Sequence, residues 1–329
     1  MYQVVEDASS CLNDPGIEVT QHIANNHMDM CRFSRSDDPE YRKVVAALNR
    51  VLERITNFAK SGERSENATE QRRGFLDSLR FDQIDARHAT IKTAHAKTCK
   101  WLLKKSEYQD WLDFNNIFEH HGFLWIKGKP GTGKSTIMKF ALAQAKKTMT
   151  DTIIISFFFN ARGEDLEKST IGMYRSLLVQ LLEKTPELQN VFDSFESILS
   201  GKGDSHRWDI EILKSLFRCA VEQLGQRRLT CFIDALDECE EDQIRDMVAV
   251  FEHLGQLAVS ARVQFRVCFS SRHYPHITIE KGLQLTLEGQ DGHNEDIANY
   301  LHSELKAGHS KQVEQVRAEI IEKASGIFM

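Results

Sequence analysis

From residue 123 onward, short apolar runs alternate with stretches whose apolar residues recur every three or four positions. FLWIK (123–127), TIIISFFF (152–159), LTCFID (229–234), FRVCFSS (265–271) and LQLTL (283–287) have the length and β-branched or aromatic content of buried strands. Between them, Ile210, Leu213, Phe217, Ala220, Val221 and Leu224 follow a candidate cap at Asp209 with helical spacing. Ile244, Met247, Val248, Phe251, Leu254 and Ala258 form a second such stripe. Five strands alternating with helices predict a parallel sheet covered on both faces, which is the α/β class.

Upstream the pattern changes. Tyr41, Val44, Val45, Leu48, Val51, Leu52 and Ile55 have helical spacing, so residues 1–60 are expected to be partly helical. The polar run SGERSENATEQRR carries no periodic apolar set and predicts a linker over 61–74. A helical lead-in over 75–121 then precedes the main domain at 122–329.

Length and composition narrow the classes. A chain of 329 residues holds one large domain with flanking structure, or two domains. With 41% apolar residues, 27% charged residues and only 5 prolines, collagen-like and disordered classes are excluded. A formal net charge of −6 argues against general nucleic-acid binding, which needs a basic face. No apolar run approaches the ~20 residues that cross a bilayer. MYQVVEDASS lacks a basic and then apolar leader, so a cytoplasmic location is expected. The 7 cysteines include no CxxC pair and are expected to be reduced thiols.

The candidate chemistry lies at the strand ends. GKPGTGKS (128–135) fits GxxxxGK[ST] between the first strand and a helical pattern containing Ile137, Met138, Ala141, Leu142 and Ala145. Gly128, Gly131 and Gly133 let the backbone turn its N–H groups around phosphate oxygens, with Lys129, Pro130 and Thr132 between them. Lys134 is placed to reach the β- and γ-phosphates of a nucleotide, Ser135 to put its hydroxyl on Mg²⁺, and Thr136 to bond the α-phosphate. The run FIDALDE supplies the acidic half: Asp234 as a Mg²⁺ carboxylate, Glu238 to polarise an attacking water, and Asp237 as a second candidate for that role. Arg272, at the end of the fourth strand, is a candidate γ-phosphate contact. His120, His121, His273 and His276 lack a recognised metal spacing.

FLWIKGKPGTGKST, SFFFNARG (156–163), MYRSLLVQLL (173–182), FIDALDE (232–238) and CFSSRHYP (268–275) together resemble the NACHT group of STAND nucleotide switches, in its fungal NLR-like and nephrocystin-like branch. SLRFDQIDARHATIKTAHAKTCKWLL (78–103) is similar to the lead-in of such proteins, and the likeness covers about residues 75–329. The resemblance implies a three-layer P-loop NTPase sheet ordered 5-1-4-3-2 and an ATP/ADP or GTP/GDP switch. It also implies a role in fungal non-self recognition or programmed cell death. Family members continue past KASGIFM into winged-helix and sensor modules, so the domain is expected to be cut before them. IANNHMDMCRF (23–33) is similar to the end of an α/β-hydrolase-like effector in which His27 matches the triad histidine. No GxSxG occurs in the chain, so residues 1–60 are expected to be a non-catalytic remnant.

The leading functional expectation is therefore a signalling switch that binds a nucleoside triphosphate with Mg²⁺, hydrolyses it slowly and self-associates on activation. The alternatives are a scaffold stabilised by nucleotide without turnover and a continuously cycling P-loop ATPase. Neither an Arg-rich lid nor an NKxD run is present.

Overall fold

The computed structural model describes residues 33, 35, 38–95, 98–201, 208–274, 278–304, 311–324 and 327–328; no side chain is described over 53–66. His27, Cys11, Cys31 and His276 lie outside the described residues. Two compact units divide the chain, residues 1–71 and 72–329.

All five expected strands form: β1 (Phe123–Lys127), β2 (Thr152–Phe158), β3 (Arg228–Asp234), β4 (Gln264–Ser271) and β5 (Leu283–Thr286). Every pairing is parallel, in the order β2-β3-β4-β1-β5, which is the 5-1-4-3-2 arrangement read from the opposite edge. Register sets Phe123 beside Val267 and Lys127 beside Ser271, so β1 and β4 end together at one edge.

The period-2 alternation of strand side chains separates two cores. Phe123 and Trp125 of β1, with Val267 and Phe269 of β4, face one layer. Leu124 and Ile126, with Cys268, face the other. Phe157 and Phe159 likewise belong to the first layer and Phe158 to the second. The first layer is closed by amphipathic helices including Ile210–Glu222, which buries the predicted Leu213, Phe217, Ala220 and Val221 together with Ile212 and Leu216, and where the Asp209 side chain accepts from the Glu211 N–H at 2.9 Å. The second is closed by the helix that follows the glycine-rich loop and by Cys99, Leu102, Tyr108 and Trp111 of the lead-in. Trp111 is fully buried, donates its indole N–H to the Gly122 carbonyl at 2.8 Å and packs edge-on against Phe232. This is the three-layer P-loop NTPase architecture.

The expected linker over 61–74 is corrected: the backbone is one α-helix, α1, from Pro39 to Ser78. Pro39 opens it, where a missing N–H costs nothing, and Asp38 Oδ1 accepts from the Glu40 N–H. Residues 61–74 have no proline and hold three Glu and three Arg, good helix formers, so the helix runs through a stretch with no apolar stripe. The boundary between units accordingly falls within a helix and not in a loop. At the α1 C-terminus, Arg175 donates to the carbonyls of Ser78, Leu79 and Arg80 at 2.9–3.0 Å. A cation there satisfies orphan acceptors and opposes the helix dipole. Arg175→Met is therefore expected to destabilise residues 72–329 by about 1–3 kcal/mol, read as a lower urea midpoint at unchanged slope.

The five described cysteines are unpaired thiols, and burial pushes Cys231 and Cys268 well up from the ordinary thiol range.

Candidate nucleotide site

β1 runs straight into the loop 128–133, which turns into the helix Lys134–Thr148. Gly131 and Gly133 both have φ near +80°, a region where a side chain is strained. Lys134 folds back over the loop, its Nζ donating to the carbonyls of Gly128 at 2.7 Å and Lys129 at 2.8 Å. Burial lowers its pKa while Asp237 and Asp234 oppose that shift. Thr132 is fully buried and bonds the Lys129 carbonyl at 2.9 Å, so it braces the loop from behind.

The end of β3 supplies the opposite wall. Asp234 is completely buried, with Oδ1 accepting from the Ser270 hydroxyl of β4 and Oδ2 without a hydrogen-bond partner. Burial pushes its carboxyl up to about 6, even though the Ser135 and Ser270 hydroxyls pull the other way. An orphaned, desolvated carboxylate oxygen beside a serine hydroxyl at the loop–helix junction is suited to a small divalent cation. Among the described residues no cluster of three or more His, Cys, Asp or Glu could hold a metal, so a cation at this site would need further ligands from a bound ligand or water.

After Asp234 the chain passes through Ala235 in the left-handed region (φ 60°), then a short 3-10 turn Leu236–Glu238. That conformation costs an alanine about 1 kcal/mol or more and is fixed here by the Ala235 N–H bonding Ser270 Oγ at 3.1 Å. The turn presents Asp237 and Glu238 to the same edge. Asp237, the second candidate base in the sequence, accepts with Oδ1 from the Arg272 backbone N–H at 2.8 Å and with Oδ2 from its Nε at 2.9 Å. It holds the arginine. Glu238 accepts from the Ala161 N–H at 2.8 Å and lies 3.7 Å from Arg87.

These groups enclose a cavity of about 300 Å³ lined by Pro130, Gly131, Gly133, Lys134, Ser135, Thr136, Asp234, Asp237, Glu238 and Arg272. Gly128 and Lys129 are not among its lining residues; their carbonyls hold Lys134. Arg87, Ala235 and Ser270 also line it and were not expected. Ser270 lies within the CFSSR run, where a hydroxyl at a strand end was legible in principle. Arg87 belongs to no motif. Glu288, after β5, was missed too: it accepts from the Lys129 N–H and contacts His273 at 3.2 Å. Burial pushes Glu288 up, but those partners outweigh it and hold the carboxyl below its usual range. The loop is also covered from outside, where the Phe328 N–H donates to the Gly131 carbonyl at 2.9 Å and Ile327 sits 2.8 Å from where a Gly131 Cβ would be.

A parallel five-stranded sheet in this order, with a GKPGTGKS loop between β1 and its helix and an acidic end on β3, defines a P-loop NTPase module. The chain belongs to the nephrocystin 3 N-terminal family, whose model matches residues 97–272. It is also similar to the vegetative incompatibility protein HET-E-1 of Podospora anserina, with 28% identity over 232 residues. That match takes in 66% of this chain and 16% of HET-E-1, so the chain spans a small part of that relative. Among solved structures, a DNA replication initiation factor is 12% identical over 71% of this chain and 62% of its own, with a TM-score of 0.36. Cdc6p from Pyrobaculum aerophilum is 13% identical over 70% of this chain and 55% of its own, with a TM-score of 0.39. No helix among the described residues is long and apolar enough to cross a membrane.

Proposed function

We propose that this chain is the nucleotide-binding module of a signalling switch of the NACHT/STAND type, binding ATP or GTP with Mg²⁺ and hydrolysing it slowly. The observation that carries the proposal is the convergence of Lys134, Ser135, Asp234, Glu238 and Arg272 on one cavity at the strand ends. A bound triphosphate takes over the Lys134 ammonium from the Gly128 and Lys129 carbonyls and receives the N–H groups of the loop. Ser135 and Asp234 are the residues that would hold Mg²⁺, which would supply charge neutralisation to the phosphates. Arg272, kept in place by Asp237, binds the γ-phosphate side. Glu238 accepts the proton of the attacking water.

Slow turnover is supported by Glu238 itself. One of its oxygens accepts from the Ala161 N–H and the other has the Arg87 guanidinium 3.7 Å away, so a hydrogen bond and a nearby positive charge both weaken it as a proton acceptor. That restraint disfavours a continuously cycling ATPase. The vegetative incompatibility named for HET-E-1 supports a role in non-self recognition or cell death; coupling of nucleotide state to self-association, in the cytoplasm, belongs to the same proposal. The deciding experiment is nucleotide analysis of the purified chain with single-turnover hydrolysis and light scattering. Bound nucleotide, slow single turnover and a triphosphate-dependent mass increase are expected. Tight binding without turnover makes the chain a nucleotide-stabilised scaffold.

Glu238→Gln is expected to keep nucleotide affinity within about twofold while cutting the hydrolysis rate 10²-fold or more, because the amide keeps the shape and loses the proton acceptor. Asp237→Asn, by loosening Arg272, is expected instead to weaken triphosphate binding. A larger rate loss in Asp237→Asn than in Glu238→Gln reverses the assignment of the base.

A further inference from the structure

The lead-in carries a third cation into the phosphate cavity, from outside the segment that matches the family and outside every nucleotide motif. Arg87 sits on α2 (Ala86–Thr90) and lines the cavity beside Lys134, Asp234, Glu238 and Arg272. Its Nε is buried with no hydrogen-bond partner. Its Nη2 approaches Glu238 Oε1 no closer than 3.7 Å, about 1 Å beyond a charge-assisted hydrogen bond. The guanidinium is thus attracted to the cavity and left without the oxygens it is built to hold.

The position of α2 is not an accident of a mobile segment. Lys139, on the helix that follows the glycine-rich loop, donates to the carbonyls of His88 at 2.8 Å and Ile91 at 2.7 Å. The His88 ring packs against Phe158 of β2 with ring centres 5.0 Å apart. The P-loop helix and β2 therefore clamp α2 from two sides and aim Arg87 between them. Its electrostatic neighbours in the cavity are Glu238 and Asp234, the two carboxylates assigned to water and to Mg²⁺. Both serve the terminal phosphate and neither serves the α-phosphate.

We propose that Arg87 binds the terminal phosphoryl oxygens of a nucleoside triphosphate, and that the lead-in thereby distinguishes triphosphate from diphosphate. The proposal rests on the phosphate-site assignment above. Cavity charge supports it: Lys134, Arg87 and Arg272 balance Asp234, Asp237 and Glu238 when no ligand is bound, and a triphosphate adds anionic oxygens that a planar, five-donor guanidinium binds in pairs. Moving Arg87 onto phosphate also draws its positive charge away from Glu238 Oε1, which makes that oxygen a stronger acceptor for a water proton. A diphosphate offers no such oxygen, so Arg87 stays 3.7 Å from Glu238 and its charge keeps that carboxylate a weaker proton acceptor. Discrimination of this kind requires a contact present in one liganded state only, and Arg87 provides one.

The test uses the full chain with Mg²⁺ and two titrations, AMPPNP and ADP, or their guanine counterparts if the wild type binds only those. Arg87→Ala is expected to weaken the triphosphate analogue tenfold or more and to change diphosphate affinity less than twofold. Arg87→Lys keeps the charge but loses the fork, and is expected to recover only part of the loss. Lys139→Met, which frees α2 without touching the cavity, is expected to lower the same ratio. Equal weakening of both nucleotides, or of neither, overturns the proposal, as does an unchanged ratio in both Arg87 variants. Should Arg87→Ala lose its cooperative melt, Arg87→Gln carries the measurement. Lys134→Ala separates the two levels: it is expected to lose both nucleotides, and a wild type that binds neither overturns the phosphate site itself.

Discussion

Replacing Lys134 by alanine is expected to lower affinity for nucleoside di- and triphosphates at least a hundredfold, about 2.7 kcal/mol or more. In the structure its ammonium already sits over the loop, bonded to the Gly128 and Lys129 carbonyls, so the charge is in place before a ligand arrives. A nucleotide β-phosphate trades two neutral acceptors for anionic ones, and charge-assisted bonds are roughly twice as strong. The other two described cations that line the cavity are engaged by acidic groups: Arg272 is held by Asp237 and Arg87 faces Glu238. Alanine also removes two bonds that hold the loop together, so some loss of thermal stability accompanies the loss of binding. Lys134→Arg keeps the charge and misfits the loop, and is expected to fall between. Calorimetric titration with a melting curve on each variant checks the set, and wild-type affinity in Lys134→Ala places the phosphates elsewhere.

Asp234→Asn is expected to move stability and function in opposite directions. In the metal-free protein the Asp234 carboxylate is fully buried, one oxygen has no partner, and its pKa is pushed up to about 6 from an ordinary 3.8. The folded state thus holds this proton more tightly than the unfolded chain. Its stabilising contribution is complete below about pH 4 and is lost as pH rises through about 6. A shift of this size corresponds to roughly 3 kcal/mol at neutral pH. Asn carries no charge, so in EDTA the variant is expected to be more stable than wild type at pH 7.5, with the advantage vanishing near pH 4. The difference between the two pH–stability curves isolates this group from every other carboxylate. With Mg²⁺ and nucleotide the order reverses: the cation relieves the buried charge in wild type, whereas the variant loses the increase in nucleotide affinity that Mg²⁺ confers. Equal Mg²⁺ dependence in both proteins removes Asp234 from the metal site.

The parts of the fold that were legible rest on local rules. Each strand is a short apolar run ended by a polar or turn residue, and the predicted boundaries differ from the observed ones by no more than one residue. The GKPGTGKS loop was legible because its geometry is forced by glycines at Gly131 and Gly133, and a loop with those conformations has few other uses. The helix through 61–74 was not legible from periodicity, because periodicity reports burial and this stretch has no apolar stripe to bury. Propensity, the weaker signal, decided it.

The amino-acid sequence by itself determined the α/β class, the five strands, the phosphate loop and the identity of its acidic partner, because each is written within a dozen neighbouring residues. The strand order was available beforehand only through family likeness; in the structure it follows from which apolar faces pack together. Tertiary structure alone decided the pairings inside the cavity. Asp237 meets Arg272, Ser270 meets Asp234, and Glu238 bonds the Ala161 N–H and lies 3.7 Å from Arg87. Those residues lie tens to more than a hundred positions apart and meet only where the parallel strands end at a common edge. A hydrogen bond depends on ångströms and angles that no local pattern encodes. Arg87 is the clearest case: in the sequence it is one arginine in DARHAT, and it becomes part of the site only because Lys139 and Phe158 hold its helix against the sheet.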